Sequence, residues 1–292
     1  MSPAEAALDQ ESTWGEGPVW WEDCLWWVDI EGHGLNRWHP ATGRRKSWPV
    51  GQQIGFALPE TDGSWIWGGQ QGLFRLDPDS GGSRPLTDPE PHLPRNRFND
   101  AAVSPEGRLF AGTIATDKTR GAAALYRLDP GPVCTPVVPE VTNSNGLGWS
   151  PDGGTLYYID TPTRIIRRFS YRKGELSGDQ VLTDTDPVID ASPDGLCVDA
   201  EGHLWVAFCH GGCVIRFDHR TGAVLDRIDV PARETTSCCF GGPELNDLFV
   251  TTGTGHGDRE SDGRVYVVRD MNVRGLPQAA IRLSGTGLDG SP

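Results

Sequence analysis

The sequence predicts an all-β fold, a six-bladed β-propeller with four antiparallel strands in each blade. A short apolar segment recurs six times along the 292 residues, and each copy is followed by a second segment in which apolar and charged residues mostly alternate. Such alternation is typical of a half-buried strand. The copies are 40 to 48 residues apart, which is the period of a four-stranded propeller blade.

The six copies define the strands in order along the chain. The first segments cover residues 25–29, 65–69, 109–113, 156–160, 204–208 and 248–252, and we expect each to be the innermost strand of its blade. Their partners cover residues 34–38, 72–77, 124–129, 165–169, 214–218 and 264–268. Three copies follow nearly identical turns at 104–107, 150–153 and 199–202, whose final glycine is expected to take a positive φ.

Six small sheets cannot each bury two faces alone, but packed radially they bury one another. The whole chain, residues 1–292, is therefore predicted to form one propeller domain. A ring must also close, and we expect the segment before Trp14 to pair with the last blade near residues 281–283. A β-sandwich is the alternative fold, although its strands would not recur in pairs at a fixed period.

Composition and charge exclude several classes of protein. The chain has 38 glycines and 23 prolines, which suit many turns, and 11 tryptophans, which argue against disorder. Its net charge of -14 disfavours nucleic acid or an anionic membrane as a partner. Residues 1–14 lack the features of a signal peptide, so a cytoplasmic location is expected. We also expect a monomer, with all seven cysteines reduced.

Polar residues stand at equivalent positions in four repeats. Glu16, Asn99, Asn145 and Asp194 precede the first segment of their repeat by nine, ten, eleven and ten residues. Such motifs in turns are candidates for a site, because the loops of all blades converge at one mouth of a propeller channel and commonly carry its ligand site. Equal offsets predict that these four residues emerge at the same level of the ring.

Three of these residues carry side-chain oxygens that suit a divalent cation. Glu16 and Asp194 offer carboxylates and Asn145 offers an amide carbonyl, which are the ligands preferred by hard metal ions. Each residue taken alone has a simpler interpretation, because Asn-Gly and Asp-Gly are common turn dipeptides. The shared offset favours one divalent metal ion bound by all three.

Other catalytic signatures are absent from the sequence. The seven histidines fall in unrelated places and none is spaced as a zinc pair. His210, beside Gly211 and Gly212, is a candidate for the channel mouth, with a surface histidine as the alternative. There is no nucleophile elbow, Walker motif or dinucleotide-binding glycine motif.

These motifs, taken together, resemble those of the regucalcin and gluconolactonase family over essentially the full length. The resemblance rests on residues 16–18, 25–29, 96–100, 144–152, 193–199 and 204–218, and on the stretch Thr-Thr-Ser-Cys-Cys-Phe-Gly-Gly at 235–242. It implies a six-bladed propeller that holds calcium, zinc, manganese, magnesium or iron on Glu16, Asn145 and Asp194.

The resemblance also implies a substrate site beside the metal. An Arg-x-Asn-Asp motif binds substrate in the family and corresponds here to Arg97, Asn99 and Asp100. We expect Asp100 to orient Asn99 or the loop. Family members carry acidic residues shortly after a Gly-Thr pair of the third blade; here Asp117 is the nearest acidic residue, so it is the candidate for that substrate contact.

The activity implied is hydrolysis of sugar lactones to aldonic acids, with Asp194 as both a metal ligand and the general base. Two alternatives remain at this point. One is a metal-dependent phosphotriesterase or arylesterase, and the other is a calcium-binding propeller without enzymatic activity. The sequence does not determine which sugar lactone or which metal is used.

Overall fold

The computed structural model describes residues 3–255 and 263–283 and confirms the six-bladed propeller. Its 24 strands form six four-stranded antiparallel sheets, arranged as blades around one axis. The described residues contain no α-helix; a single 3-10 turn covers Thr161–Thr163. No helix in these parts of the chain is long and apolar enough to span a bilayer.

Each blade is built from strands that follow one another along the chain. Blade 1 contains β2 (Gly15–Trp21), β3 (Cys24–Asp29), β4 (Gly34–His39) and β5 (Arg44–Pro49). Blade 2 contains β6 (Ile54–Pro59), β7 (Trp65–Gly69), β8 (Gly72–Leu76) and β9 (Ser83–Thr87). Blade 3 contains β10 (Asn96–Val103), β11 (Leu109–Ala115), β12 (Ala123–Asp129) and β13 (Val133–Val141).

The second half of the ring repeats this pattern. Blade 4 contains β14 (Ser144–Trp149), β15 (Thr155–Asp160), β16 (Ile165–Arg172) and β17 (Glu175–Asp184). Blade 5 contains β18 (Ser192–Val198), β19 (Leu204–Cys209), β20 (Cys213–Phe217) and β21 (Val224–Asp229). Blade 6 contains β22 (Thr235–Gly241), β23 (Asp247–Thr252), β24 (Arg264–Val268) and β1 (Glu5–Glu11).

The recurring apolar segments are the second strands of the blades, so the prediction that they are innermost was wrong. The first strands β2, β6, β10, β14, β18 and β22 contact one another around the axis and line the channel. The second strands carry the most apolar sequence because neighbouring blades cover both of their faces. Trp27, Trp67 and Trp205, for example, are fully buried there.

The predicted turn glycines are confirmed, whereas ring closure differs in part from the prediction. Gly107, Gly153 and Gly202 have the predicted positive φ, at 89°, 70° and 90°. The N-terminal strand β1 pairs antiparallel with β24, with Glu5 opposite Val267. The expected partner near residues 281–283 was wrong, because β24 already offers a free sheet edge in blade 6 and the later segment runs elsewhere.

The segment after β24 crosses the end of the ring where the first and second strands of each blade are joined. Gly275 bonds to Leu245 of blade 6 and bridges to Asp199 of blade 5. Ile281 and Arg282 then bond to Pro59 of blade 2 and Gly107 of blade 3 on the other side of the axis. Residues 276–279 line a channel cavity of about 480 Å³, so they cover its far end.

All seven cysteines are free thiols, as predicted. Cys238 is buried and lies 3.6 Å from Cys197, sulfur to sulfur, whereas its neighbour Cys239 is partly buried. The side chains of Cys238 and Cys239 therefore point to opposite faces of the sheet, as those of successive strand residues do.

Candidate active site

Every innermost strand is irregular at the same level of the channel. The pairing between first and second strands shifts register after Glu16 in β2, after Phe98 in β10, after Asn145 in β14 and after Pro193 in β18. The strands β6 and β22 shift at the corresponding place. A bulge bends a strand and redirects its side chains, so six bulges at one level form a constriction.

Glycines allow neighbouring innermost strands to approach closely at this constriction. A Cβ atom on Gly55 would lie 2.3 Å from the carbonyl oxygen of Phe98, and one on Gly146 would lie 2.5 Å from that of Asp194. A Cβ on Gly195 would lie 2.1 Å from the Ser237 hydroxyl. Because the nearest atoms to Gly55 and Gly146 are backbone, any larger residue there would push two blades apart.

The structure brings three predicted residues to this level. Glu16, Asn145 and Asp194 are all buried, at 7%, 4% and 7% exposure, on β2, β14 and β18. They lie within the innermost strands, not in loops between strands as expected, because the bulges already turn the side chains without leaving the sheet. Their equal offsets arise because each stands at the bulge of a first strand.

The two carboxylates are an unfavourable pair when no cation accompanies them. Burial raises the pKa of Glu16 well above its usual range, and the charges of Asp194 and Asp100 raise it further. Burial likewise raises the pKa of Asp194, followed by the charge of Asp100. A hydrogen bond from the Gly17 amide lowers the pKa of Glu16, one from the Asn145 side chain lowers that of Asp194, and the charge of Arg97 lowers both, yet burial and the neighbouring carboxylates dominate.

Hydrogen bonds fix the orientation of the Asn145 amide. The Thr161 hydroxyl donates to the carbonyl oxygen of Pro193 at 2.9 Å, so it accepts the bond from Asn145 Nδ2 at 3.0 Å. This leaves Asn145 Oδ1 buried and without a hydrogen-bond partner in the described structure. A buried acceptor left unpaired costs stability, and a metal ion is one group that satisfies it.

Arg97 and Asn99 form a linked pair beside the carboxylates. Arg97 Nη1 donates to Asn99 Oδ1 at 2.7 Å and to the carbonyl oxygen of Phe98 at 2.9 Å. Asn99 Nδ2 donates to Asn143 Oδ1 and to the Ser144 carbonyl oxygen. The amide of Asn99 is therefore engaged by protein atoms, whereas Arg97 Nε is buried without a partner in the described residues.

Asp100 and Asp117 lie in different surroundings. Asp100 accepts a bond from the Ala101 amide at 2.7 Å and lines the channel cavity. Among the described residues it makes no hydrogen bond to Asn99, so of the two expected roles its contact with Ala101 fits the orientation of the local backbone. Burial raises its pKa to about 7. The Asp117 carboxylate is engaged at the rim, where it pairs with Arg95 at 2.7 Å and accepts a bond from the Thr119 amide.

A further cluster at the mouth was missed in the sequence. Glu234 Oε2 lies 2.7 Å from His210 Nδ1 and 3.2 Å from Cys209 Sγ. Burial raises the pKa of Cys209, followed by the charges of Asp194 and Glu234, so the cluster belongs to the electrostatic neighbourhood of the carboxylates. Glu234 lies in no motif from which its place in this cluster could have been predicted, and of the three residues only His210 was a candidate for the channel mouth.

The donor set fits a divalent metal ion. Two carboxylates and one amide oxygen, delivered by three blades, offer oxygen ligands of the kind that calcium, magnesium and manganese prefer. A cation among them would offset the repulsion between Glu16 and Asp194 and would satisfy Asn145 Oδ1.

A six-bladed ring with an acidic centre inside one mouth of its channel defines the class of this protein. Within that class the chain belongs to the SMP-30/Gluconolactonase/LRE-like family, whose sequence model matches residues 14–254. The resemblance inferred from the motifs is therefore confirmed.

Individual relatives cover nearly the whole chain. Regucalcin of Xenopus laevis is 33% identical, over 94% of this chain and 97% of its own length. The pentonolactonase XacC of Haloferax volcanii is 36% identical, over 86% of this chain and 85% of its own. A crystal structure of regucalcin from Agrobacterium tumefaciens, described as a calcium-binding protein, superposes with a TM-score of 0.89 at 28% identity, over 95% and 97% of the two chains.

We predict that Gly146→Ala weakens the binding of added divalent metal, with calcium as the probe, at least about tenfold, or about 1.4 kcal/mol. The added methyl group would meet the Asp194 carbonyl oxygen and the Leu196 amide, so β14 and β18 must separate and carry Asn145 away from Asp194. Isothermal calorimetry measures the affinity. Gly154→Ala is the control, because its Cβ meets nothing closer than 3.4 Å; equal affinities in the two variants would contradict the prediction.

Proposed function

We propose that the protein is a metal-dependent lactonase that opens sugar lactones to aldonic acids. The observation that carries the proposal is the convergence of Glu16, Asn145 and Asp194, with two repelling carboxylates and one unsatisfied amide oxygen. Relatives named as a pentonolactonase and a gluconolactonase support the choice of substrate class.

Glu16, Asn145 and Asp194 would hold the metal ion. When bound, a divalent cation supplies Lewis-acid stabilisation of the negative charge that develops on a lactone carbonyl oxygen. The Thr161 hydroxyl fixes the Asn145 amide through its Nδ2, so Oδ1 is the atom left without a hydrogen bond and available as a ligand. The calcium-binding description of the Agrobacterium regucalcin supports a divalent ion, and the oxygen donors do not distinguish among calcium, magnesium and manganese.

Asp194 is the general base in this proposal. It accepts a proton from the attacking water while the water oxygen bonds to the lactone carbonyl carbon. The bond from that carbon to the ring oxygen then breaks, the ring oxygen takes the proton, and the product is the aldonic acid. Arg97 helps to keep Asp194 ionised, because its positive charge lowers the pKa of that carboxyl.

Arg97 binds the substrate in this proposal, and Asn99 holds the Arg97 side chain in place. The Nε of Arg97 is buried without a partner in the described chain, so it offers a donor for a sugar hydroxyl or the ring oxygen. Asn99 fixes the Arg97 guanidinium by accepting a hydrogen bond at Oδ1. The NH₂ group of Asn99 would contact the substrate only by giving up its hydrogen bond to Asn143. Asp117 would contact substrate only by releasing Arg95.

A hydrolysis screen tests the proposal directly. We expect gluconolactone or a pentonolactone to be opened at least about 100-fold faster than background, the contribution typical of general base catalysis alone. Activity should be lost on chelation and restored by one added divalent metal, measured with a pH indicator. Faster turnover of a phosphotriester would favour the other hydrolase class, and a bound ion without any hydrolysis would favour a calcium-binding protein.

Substituting the proposed base should separate catalysis from folding. We expect Asp194→Asn to lower kcat by a factor of about 10² or more, because the amide cannot accept the proton. The control is Asp190→Asn, which changes a fully exposed aspartate four residues earlier. Near-normal turnover of Asp194→Asn, measured at saturating metal, would refute the assignment.

Substituting Arg97 should affect the substrate more than the metal. Arg97→Ala removes the donor at Nε, so we expect KM to rise about tenfold or more, as befits the loss of a hydrogen bond to a charged group. Calorimetry should show metal affinity changed by less than that factor. Arg84→Ala, on the exposed outer strand of blade 2, is the control. A loss of metal affinity at unchanged KM would contradict the assignment, because it would show that Arg97 supports the metal site and does not bind substrate.

A further inference from the structure

A second group of metal-binding side chains lies at the opposite end of the ring from the candidate active site. His203 ends the turn between β18 and β19, and Asp218 and His219 begin the turn between β20 and β21. Both turns belong to blade 5. The two histidines are 16 residues apart, which is not the spacing of a zinc pair, and the expectation that the histidines make no cluster was wrong.

The distances within this group match those of a metal complex. His203 Nδ1 and His219 Nδ1 are 3.4 Å apart, and His203 Nδ1 is 3.7 Å from Asp218 Oδ2. All three ligand atoms lie within 4.8 Å of one another. Two nitrogens bound to one tetrahedral zinc at about 2.0–2.1 Å must be separated by about 3.3–3.4 Å, so the imidazoles need not move.

The orientation of the rings also suits a shared cation. The ring centroids are 5.0 Å apart and the planes are tilted by 56°, so the rings meet at their Nδ1 edges and do not stack. The alternative interpretation is a hydrogen bond between two neutral imidazoles, one Nδ1 donating to the other. His203 Nδ1 also accepts a long bond from the His219 backbone amide, at 3.4 Å. A metal ion would replace these contacts and would also engage Asp218 Oδ2, which lies 3.7 Å from His203 Nδ1.

Asp218 is held ready to act as a ligand. Its Oδ1 accepts bonds from the amides of Arg220 and Thr221 and from the Thr221 hydroxyl. These bonds occupy Oδ1, and Oδ2 is left 3.7 Å from His203 Nδ1. A ligand whose other oxygen is already fixed loses little freedom on binding a metal.

The charges around the group are of both signs. Asp152 of the neighbouring blade and Asp199 of the first turn interact electrostatically with His219, although Asp199 is itself paired with Arg216 at 2.6 Å. Arg220 opposes binding, because its Nε donates to His219 Nε2 at 3.2 Å and that bond requires the proton of His219 to sit on Nδ1. Arg220 is exposed, so it can turn into solvent when Nδ1 binds a metal.

We propose that His203, Asp218 and His219 form a second metal site, selective for zinc and similar borderline divalent ions, with a fourth position open to water. Two imidazoles and one carboxylate suit zinc, cobalt and nickel, whereas calcium binds poorly to nitrogen ligands. The site joins two turns of one blade, so its occupation stabilises blade 5. It is independent of the proposed lactonase activity.

A cobalt titration in excess calcium tests this site. Calcium occupies oxygen ligands and leaves imidazoles free, so cobalt reports the nitrogen site. We expect the full-length protein to bind one more equivalent of cobalt than His219→Gln or His203→Gln, with visible d–d absorption. Affinity should fall at least about tenfold in either variant, since even outer-shell substitutions can cost that much. Arg220→Ala should bind cobalt more tightly than the unsubstituted protein.

Two control variants exclude other histidines. His92→Gln removes an exposed histidine and should change nothing. His210→Gln tests the mouth cluster, where Cys209 would add a thiolate-to-cobalt charge-transfer band in the near ultraviolet. A titration that depends on His210, shows that band, or is unchanged in His203→Gln and His219→Gln would overturn the proposal. Lactone hydrolysis is not measured, so this outcome leaves the proposed function untouched.

Discussion

The burial of like charges at the channel constriction is the constraint on which the rest of the structure depends. Glu16 and Asp194 repel each other in a region where water cannot screen them, and Asp100 adds to that repulsion. The Gly17 amide bound to Glu16, the Asn145 side chain bound to Asp194 and the charge of Arg97 relieve it in part. A fold that keeps these groups together must therefore resist their separation, and a closed ring does so because no blade can move outward without breaking contact with two neighbours.

The same closure explains why glycines stand at the bulges. Six innermost strands converge on one axis, and at Gly55 and Gly146 there is no room for a Cβ atom between adjacent backbones. This close approach sets the separation of Asn145 from Asp194, which belong to neighbouring blades. Packing between blades thus determines the geometry of a polar site, while the outer strands, such as β5 and β9, are mostly exposed and contribute little to it.

The sequence predicted the ring and part of the site because both depend on repeats. Hydrophobic segments at a fixed period identify blades, and equal offsets place Glu16, Asn145 and Asp194 at one level. The offsets could not show that these residues lie within strands, since a bulge leaves no mark on local composition. The roles of Glu234 and of the pair His203 and His219 were not predicted for another reason. Contacts between separate turns depend on tertiary packing, which spacing along the chain does not reveal.

The segment after β24 lies across one end of the channel. Residues 276–279 stand between the channel cavity and the solvent below, within the part of the chain that the structure describes. A molecule that enters from the mouth and passes the carboxylates would therefore meet residues 276–279 before it could leave by the other end.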